Sequence, residues 1–289
     1  CKSAMGSATI VENANPTVAI TGNGTHLGQF EYCAGGSVDL TATGSSVGAN
    51  HSPFTYNWNN GAATTAIFAG RTTGTTYTVV ATDTKGCTAT DMKTLTEYAN
   101  PTVSITGNGT PSQFEYCAGN SVDLTATGNG GAGDYSYNWN NGASTDQIYT
   151  DRTTGTIYSV VATDANGCSS DAATQTLTEN ANPTVNITGN GTPASQQFEY
   201  CQGGAGVVLT AAGVGGHPGY NYVWDNGALP AVTNNANSTQ KAGTYSVVAT
   251  DNKGCKSEST SQTIIENANP TVTISGNGTH LGEFEYCAG

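Results

Sequence analysis

Apolar and polar side chains alternate in short runs along this chain, and no stretch carries the 3.6-residue period of a helix. The stretch 99–180 illustrates the pattern. Val122, Leu124 and Ala126 share one face of residues 121–127, with Asp123 and Thr125 on the other, which predicts a half-buried strand. Tyr135, Tyr137 and Trp139 alternate with Ser136, Asn138 and Asn140, and Tyr158, Val160 and Ala162 line one side of the longest strand, 156–164. Shorter strands are expected at 102–106 and 114–117, a weak one at 147–150, and a last one running from Cys168 towards Glu179. Gly107-Asn108-Gly109, Ala118-Gly119-Asn120, residues 128–134, Asn141-Gly142, Thr153-Thr154-Gly155 and Asp164-Ala165-Asn166-Gly167 supply the turns. About six or seven strands, with turns roughly every 8–12 residues, predict an antiparallel β-sandwich of immunoglobulin-like layout.

The pattern then repeats. Asn-Pro-Thr-Val begins at Asn15, Asn100, Asn182 and Asn269; Phe-Glu-Tyr-Cys begins at Phe30, Phe114, Phe198 and Phe284. A period of about 84 residues matches one small sandwich domain, not one turn of a solenoid. The fold class expected is therefore all-β, with tandem immunoglobulin-like domains in a linear array. Residues 1–13 read as the last strand of a preceding repeat, 14–98, 99–180 and 181–267 as three repeats, and 268–289 as the start of another. The chain reads as a window cut from a longer array.

Composition narrows the class of partner. The net charge is −13 with only eight Lys and Arg, so nucleic acid and anionic membrane surfaces should be repelled. No apolar run is long enough to span a membrane. The regular Val, Leu, Tyr and Trp positions argue against disorder despite a charged fraction of 10%.

The eight cysteines, Cys1, Cys33, Cys87, Cys117, Cys168, Cys201, Cys255 and Cys287, fall at two fixed positions per repeat. No Cys-x-x-Cys occurs and the histidines do not accompany them, so disulfides in an oxidising, extracellular setting are the reading. Cys1 keeps the register of Cys255, which favours that role over a lipid anchor. Three pairings stay open: within a repeat (Cys33 with Cys87, Cys117 with Cys168, Cys201 with Cys255), across a linker (Cys1 with Cys33, Cys87 with Cys117), and across a junction (Cys33 with Cys168, Cys117 with Cys255). Strand parity discriminates. An odd number of strands between the two positions puts them at opposite ends of a sandwich, about 23 Å apart for a seven-residue strand, beyond the reach of a disulfide. The Asn141-Gly142 hairpin suggests a short extra strand and an odd count. The window's ends favour the linker pairing, which orphans no cysteine.

Residues 130–142 (Gly-Gly-Ala-Gly-Asp-Tyr-Ser-Tyr-Asn-Trp-Asn-Asn-Gly) and 155–168 (Gly-Thr-Ile-Tyr-Ser-Val-Val-Ala-Thr-Asp-Ala-Asn-Gly-Cys) resemble the repeats of Bacteroidetes gliding-motility and surface adhesins, and the neighbouring PKD-like and bacterial Ig-like families. The resemblance covers every repeat. It implies a secreted, tandem-domain cell-surface protein with no active site in these modules. Residues 229–243 depart most from it, which makes the weak strand of the third repeat doubtful.

Other candidates are few. Asn23, Asn108, Asn190 and Asn277 each open an Asn-Gly-Thr that fits the N-glycosylation sequon, as do Asn50, Asn186 and Asn237; the plain alternative is a Gly-Asn-Gly turn. Asp83, Asp164 and Asp251 open the turn before each Gly-Cys, and Glu12, Glu97, Glu179 and Glu266 sit at the junctions. Bridging Ca²⁺ is conceivable there, but the dense acidic motif that supplies its oxygens is missing, and Asx turns with solvated acids explain the residues without a cofactor. Trp58, Trp139 and Trp224, with Tyr56, Tyr137 and Tyr222, could form a sugar platform, but their period-2 placement favours core packing. Tyr77, Tyr158 and Tyr245 look like the structural tyrosine that opens the penultimate strand. No Ser-His-Asp arrangement, paired-carboxylate motif or phosphate loop recurs, so no enzyme is expected. The sequence supports a disulfide-stabilised extracellular filament, stalk or surface adhesin, whose partners are copies of itself, adjacent repeats or cell-surface glycans. The alternative is a set of glycan-binding accessory modules of a secreted enzyme.

Overall fold

The structure is a computed structural model, and it describes residues 5–24, 28–47, 51–59, 61–140, 142–191, 198–225 and 236–276. Cys1, Cys287, Asn50, Asn141 and Asn277 lie outside them. Among the described residues every regular element is a strand, and none forms a helix long and apolar enough to cross a membrane. The protein is all-β, a tandem set of immunoglobulin-like sandwiches.

The first repeat sets the plan. Its strands are β1 (Thr17–Gly22), β2 (Glu31–Cys33), β3 (Val38–Ser45), β4 (Thr55–Trp58), β5 (Ile67–Arg71), β6 (Tyr77–Thr82), β7 (Thr88–Lys93) and β8 (Thr96–Tyr98). Two antiparallel sheets, ordered β1-β3-β5 and β4-β6-β7, face each other, and β2 pairs with β8 in a separate two-stranded ribbon. Val38, Leu40 and Ala42 of β3 and Tyr77, Val79 and Ala81 of β6 point inward by strict alternation, which is how a strand buries one face. Trp58 ends β4 with no exposed surface; its Nε1 donates to the Thr65 carbonyl at 3.0 Å, and its ring lies 5.6 Å from Phe68. The Tyr77 hydroxyl reaches back to donate to the Thr72 carbonyl at 2.7 Å and accepts from Thr72 N, an arrangement like the tyrosine corner of sandwich domains. A glycine near the end of β3, and of the matching strand in the other two repeats, lies under an aromatic ring: Gly44 under Phe54, Gly128 under Tyr135, Gly213 under Tyr220. A Cβ there would run into the ring.

The second repeat comprises β9 (Thr102–Gly107), β10 (Glu115–Cys117), β11 (Val122–Asn129), β12 (Ser136–Trp139), β13 (Ile148–Arg152), β14 (Tyr158–Thr163), β15 (Ala173–Gln175) and β16 (Thr178–Asn180), with sheets β13-β11-β9 and β12-β14-β15. The third comprises β17 (Thr184–Gly189), β18 (Glu199–Cys201), β19 (Val207–Val214), β20 (Asn221–Asp225), β21 (Ala236–Gln240), β22 (Gly243–Thr250) and β23 (Thr260–Asn267). The strand that looked doubtful there forms at β21 and pairs with β19 across a register shift between Val207 and Leu209. The first repeat's β5 shows the same shift against β3. The last strand expected as one run is broken in the first two repeats. Its first part pairs antiparallel with the preceding strand, its second part parallel with the Glu-Tyr-Cys strand, and the buried Leu95 and Leu177 sit at the break.

The chain divides into two compact units that cut across the repeats. The first is Cys1–Gly107, Asp123–Thr150 and Thr156–Thr176; the second is Asn108–Val122, Asp151–Gly155 and Leu177–Gly289.

Candidate functional site

The residues that recur most faithfully gather where one repeat hands over to the next. In the first unit β2 runs parallel to β8, with Tyr32 opposite Glu97 and Cys33 opposite Tyr98. Thr96 N donates to the Phe30 carbonyl at 3.0 Å and Ala34 N to the Tyr98 carbonyl at 2.8 Å. The Tyr32 hydroxyl donates to Glu97 at 2.9 Å and accepts from Thr73 N at 2.7 Å. The Asn100 side chain closes the linker on the Ala34 carbonyl at 3.2 Å. The second unit repeats this with Tyr116 on Glu179 and Thr154, and Asn182 on Ala118. It does so again with Tyr200 accepting from Ala242 N and Asn269 on Gln202. Phe-Glu-Tyr-Cys is thus a clamp strand. In the three described copies its backbone pairs with the linker, and in the first two its Tyr fastens the linker's Glu.

Cys33 is bonded to Cys168 and Cys117 to Cys255, with Cα–Cα distances of 5.5 and 5.4 Å. Both bridges cross a junction, and none of the three within-repeat pairings forms. The reason is the strand parity. Besides the four named strands between the two positions, isolated antiparallel bridges join Trp58 to Ala63 and Trp139 to Ser144. That extra pass makes the count odd and sends the two cysteines of one repeat to opposite ends. Cys117–Cys255 likewise rules out the across-linker partner, Cys87, for Cys117. Cys87 and Cys201 carry free thiols.

The other half of each junction is an aspartate turn. Asp251 is 3% exposed; one carboxylate oxygen accepts from Lys253 N and Cys255 N, the other from His217 N, all at 2.9 Å. Asp164 does the same with Asn166 N, Cys168 N and Ala132 N. Asp83 uses Lys85 N, Cys87 N and the His51 ring, whose Nδ1 lies 2.6 Å from its carboxylate. These acids are buried, not solvated as expected; Asp164 and Asp251 hold the backbone that presents a bridging cysteine, and Asp83 holds that of the free Cys87. Among the described residues no group of three or more His, Cys, Asp or Glu is placed to hold a metal ion. Burial pushes the Asp251 carboxyl up, but the His217, Cys255 and Lys253 amides outweigh it and hold it below its ordinary range. For Asp83 the His51 hydrogen bond is the main cause of the same downward displacement. A carboxylate lowered on folding stabilises the protein above its unfolded pKa and ceases to as pH falls through its folded pKa. Acid titration of thermal stability should therefore show a loss below about pH 4, and Asp251→Asn should flatten that slope while lowering stability at neutral pH.

The junctions differ in one ion pair. In the second unit Lys253 Nζ donates to Glu115 Oε2 at 2.8 Å, and the Asn180 amide donates to the same oxygen at 3.1 Å. The lysine, then Asn180, holds Glu115 below the usual carboxylate range. In the first unit Asn166 stands where Lys253 would be, and among the described residues the buried Glu31 Oε2 has no hydrogen-bond partner. The Tyr98 hydroxyl is pushed up by burial, then by the charge of Glu31 and a hydrogen bond to the Glu31 side chain. Asn166→Lys is expected to stabilise the first unit by about 1 kcal/mol, since hydrogen bonds to charged groups contribute roughly 1.5–3 kcal/mol before the lysine's ordering cost; chemical denaturation reads this.

The remaining candidates separate. Trp58, Trp139 and Trp224 have no exposed surface, so they form core and not a sugar platform. Tyr56, Tyr137 and Tyr222 accept from Gly44 N, Gly128 N and Gly213 N. Asn23 and Asn190 are exposed, and their side-chain oxygens accept from Asp39 N and Val208 N. Asn108 is exposed and lines a polar cleft of about 600 Å³ with Thr110, Ser121, Asp151 and Thr153. The clamp strand and the alternating lysine could have been found by aligning the repeats; the junction they build could not.

The fold and its junctions define a class: covalently clamped tandem immunoglobulin-like domains. No family model and no curated protein matches the chain. Among solved structures, the eight N-terminal Ig domains of Down Syndrome Cell Adhesion Molecule match over 89% of this chain at 12% identity and TM-score 0.41. This chain covers 37% of that one. A structure concerning host cell surface retention of a 1.5-MDa bacterial ice-binding adhesin matches 89% of this chain and all of its own, at 17% identity and TM-score 0.36. Drosophila OTK extracellular domains 3–5 match 87% of this chain and 97% of their own, at 12% identity and TM-score 0.33.

Proposed function

We propose that the chain is a structural and adhesive extracellular array, part of a filament, stalk or surface adhesin, whose working element is the junction between repeats. The observation that carries this reading is that both disulfides join one repeat to the next. A domain that needed only a stable core would be stapled internally. Bridges across junctions instead resist bending and pulling, and their formation suits an oxidising compartment. The resemblance to Bacteroidetes surface-adhesin repeats supports the same setting. Repeated weak contacts along such an array would gain strength by multivalency. The burial of all three tryptophans works against the glycan-binding alternative.

The loops closed by the two disulfides, with separations of 135 and 138 residues, overlap between Cys117 and Cys168. They interlock, so tension cannot draw the chain out to its full length. Pulled from its two ends, the oxidised protein should release roughly 50 residues between Cys33 and Cys255, about 180 Å at about 3.5 Å per residue. The reduced protein should release roughly 220 residues, about 770 Å. Equal extensions in both states would defeat the load-bearing reading.

A further inference from the structure

Cys87 and Cys201 correspond in sequence to the two different halves of a bridged junction, one in the first repeat and one in the third. Cys87 stands after Asp83 as Cys255 stands after Asp251, and Cys201 ends a clamp strand as Cys117 does. The half-sites are built although the bond is not made. Cys87 Sγ lies 4.0 Å from the Asn13 carbonyl, as Cys255 Sγ lies 4.0 Å from that of Asn180. Asn13 and Asn180 each stand two residues before an Asn-Pro-Thr-Val. Around Cys201, the Asn267 carbonyl accepts from Gln202 N at 2.8 Å, as the Asn180 carbonyl accepts from Ala118 N. The buried end of each bridge shows what is missing: Cys168 and Cys255 are 0% and 1% exposed, while Cys87 is partly open and Cys201 exposed.

Charge agrees with the thiols. At the complete junction of the second unit, Glu115 of the clamp strand takes both the Asn180 amide and Lys253. Glu199 already accepts from the Asn267 amide at 2.7 Å, the first half of that arrangement. Lys85 is exposed two residues before Cys87, the position Lys253 holds before Cys255. Of the three turns only that of the second repeat lacks the lysine, with Asn166 in its place.

We infer that the face carrying Lys85 and Cys87 docks the clamp strand of a second copy of this chain, through a Cys201–Cys87 disulfide and a Glu199–Lys85 ion pair. The inference rests on the junction reading above. The segments in the way are free to give: residues 5–14 pair with no strand and leave Ile10 96% exposed, whereas Ile264, its counterpart, is 2% exposed. Val272 and Ile274 of residues 271–276 are 86% and 69% exposed and equally unpaired into sheet. On docking, residues Ile264 to Asn267 of one copy replace Ile10 to Asn13 of the other, and Asn267 supplies the carbonyl beside Cys87.

The bond needs an oxidant, and a small-molecule disulfide such as oxidised glutathione suffices. One cysteine thiolate attacks it, forming a mixed disulfide and releasing one glutathione thiolate. The second cysteine thiolate then attacks the protein sulfur of the mixed disulfide and expels the other. Two protein thiols lose two protons and two electrons, and one glutathione disulfide becomes two thiols.

The test is to incubate the whole chain with a glutathione redox buffer and map disulfide-linked peptides without reduction. A ladder of multimers is expected in which Cys87–Cys201 peptides exceed Cys87–Cys87 and Cys201–Cys201 peptides about tenfold. Glu199→Lys should slow ladder formation about threefold, the scale of an exposed ion pair, and Lys85→Glu in the same chain should restore it. Glutathione caps on both thiols with no ladder, homotypic links at equal yield, or no rescue by the charge swap would overturn the inference. The Cys33–Cys168 and Cys117–Cys255 peptides in the same map report on the junctions themselves, so their absence would sink the load-bearing reading separately.

Discussion

Replacing Cys117 and Cys255 together by serine is expected to destabilise the second unit by several kcal/mol. The ring they close has a sequence separation of 138 residues, for which the chain-entropy estimate is about 5 kcal/mol, and native disulfides typically contribute about 2–4 kcal/mol. The effect acts chiefly on the unfolded chain. The native junction keeps the parallel pairing of β10 with β16, the Tyr116–Glu179 bond and the Glu115–Lys253 pair. The variant should therefore fold with its strand content unchanged and unfold at lower denaturant. Denaturation followed by circular dichroism measures it, and an unchanged midpoint would show that the bridge adds nothing to stability. Replacing Cys117 alone should cost the same constraint and leave a buried thiol at Cys255, 1% exposed.

The second large effect is expected from Trp58→Ala. Trp58 lies at the centre of the first repeat's core with Ile20, Leu40, Phe68, Tyr77 and Val79, fully buried. Truncation removes its packing on Phe68 and leaves the Thr65 carbonyl without its indole donor. A buried Trp→Ala change costs about 3–5 kcal/mol, a large share of the stability of so small a domain. The substitution should unfold the first repeat at a lower temperature than the third, whose core around Trp224 is built from other residues. Limited proteolysis resolves the two, with early cuts expected in the first repeat.

Trp58 also marks how far the sequence could be read. Its placement followed from alternation along β4, as did the inward faces of β3, β6, β11 and β14. Alternation encodes burial directly, because successive side chains point to opposite faces of a strand. The broken last strand was harder. Thr96–Tyr98 leaves one sheet and pairs with a clamp strand some 65 residues upstream in sequence, and only that partner gives β8 a separate existence. The strand β21 was doubtful because its sequence is rich in Asn and Ala, and its pairing with β19 overrides that weak propensity.

The acids at the turns show the same divide. Asp83, Asp164 and Asp251 were recognisable as turn formers from their position before Gly-Cys. Their burial and their third bond, to His51, Ala132 N and His217 N, come from a loop more than thirty residues away. Nothing local in the sequence distinguishes a solvated Asx turn from a buried one.

By itself the sequence determined the strand faces and the turns, because these depend on neighbours within a few residues, and the repeat, which is read directly from its recurring motifs. Only the tertiary structure decided which cysteines meet. That choice turns on a single short pass of chain, the bridges from Trp58 to Ala63 and from Trp139 to Ser144, and on which end of one sandwich abuts the next. Both are properties of the packed domain: a disulfide forms between points that the fold brings within about 4.4–6.8 Å, and sequence spacing does not measure that distance.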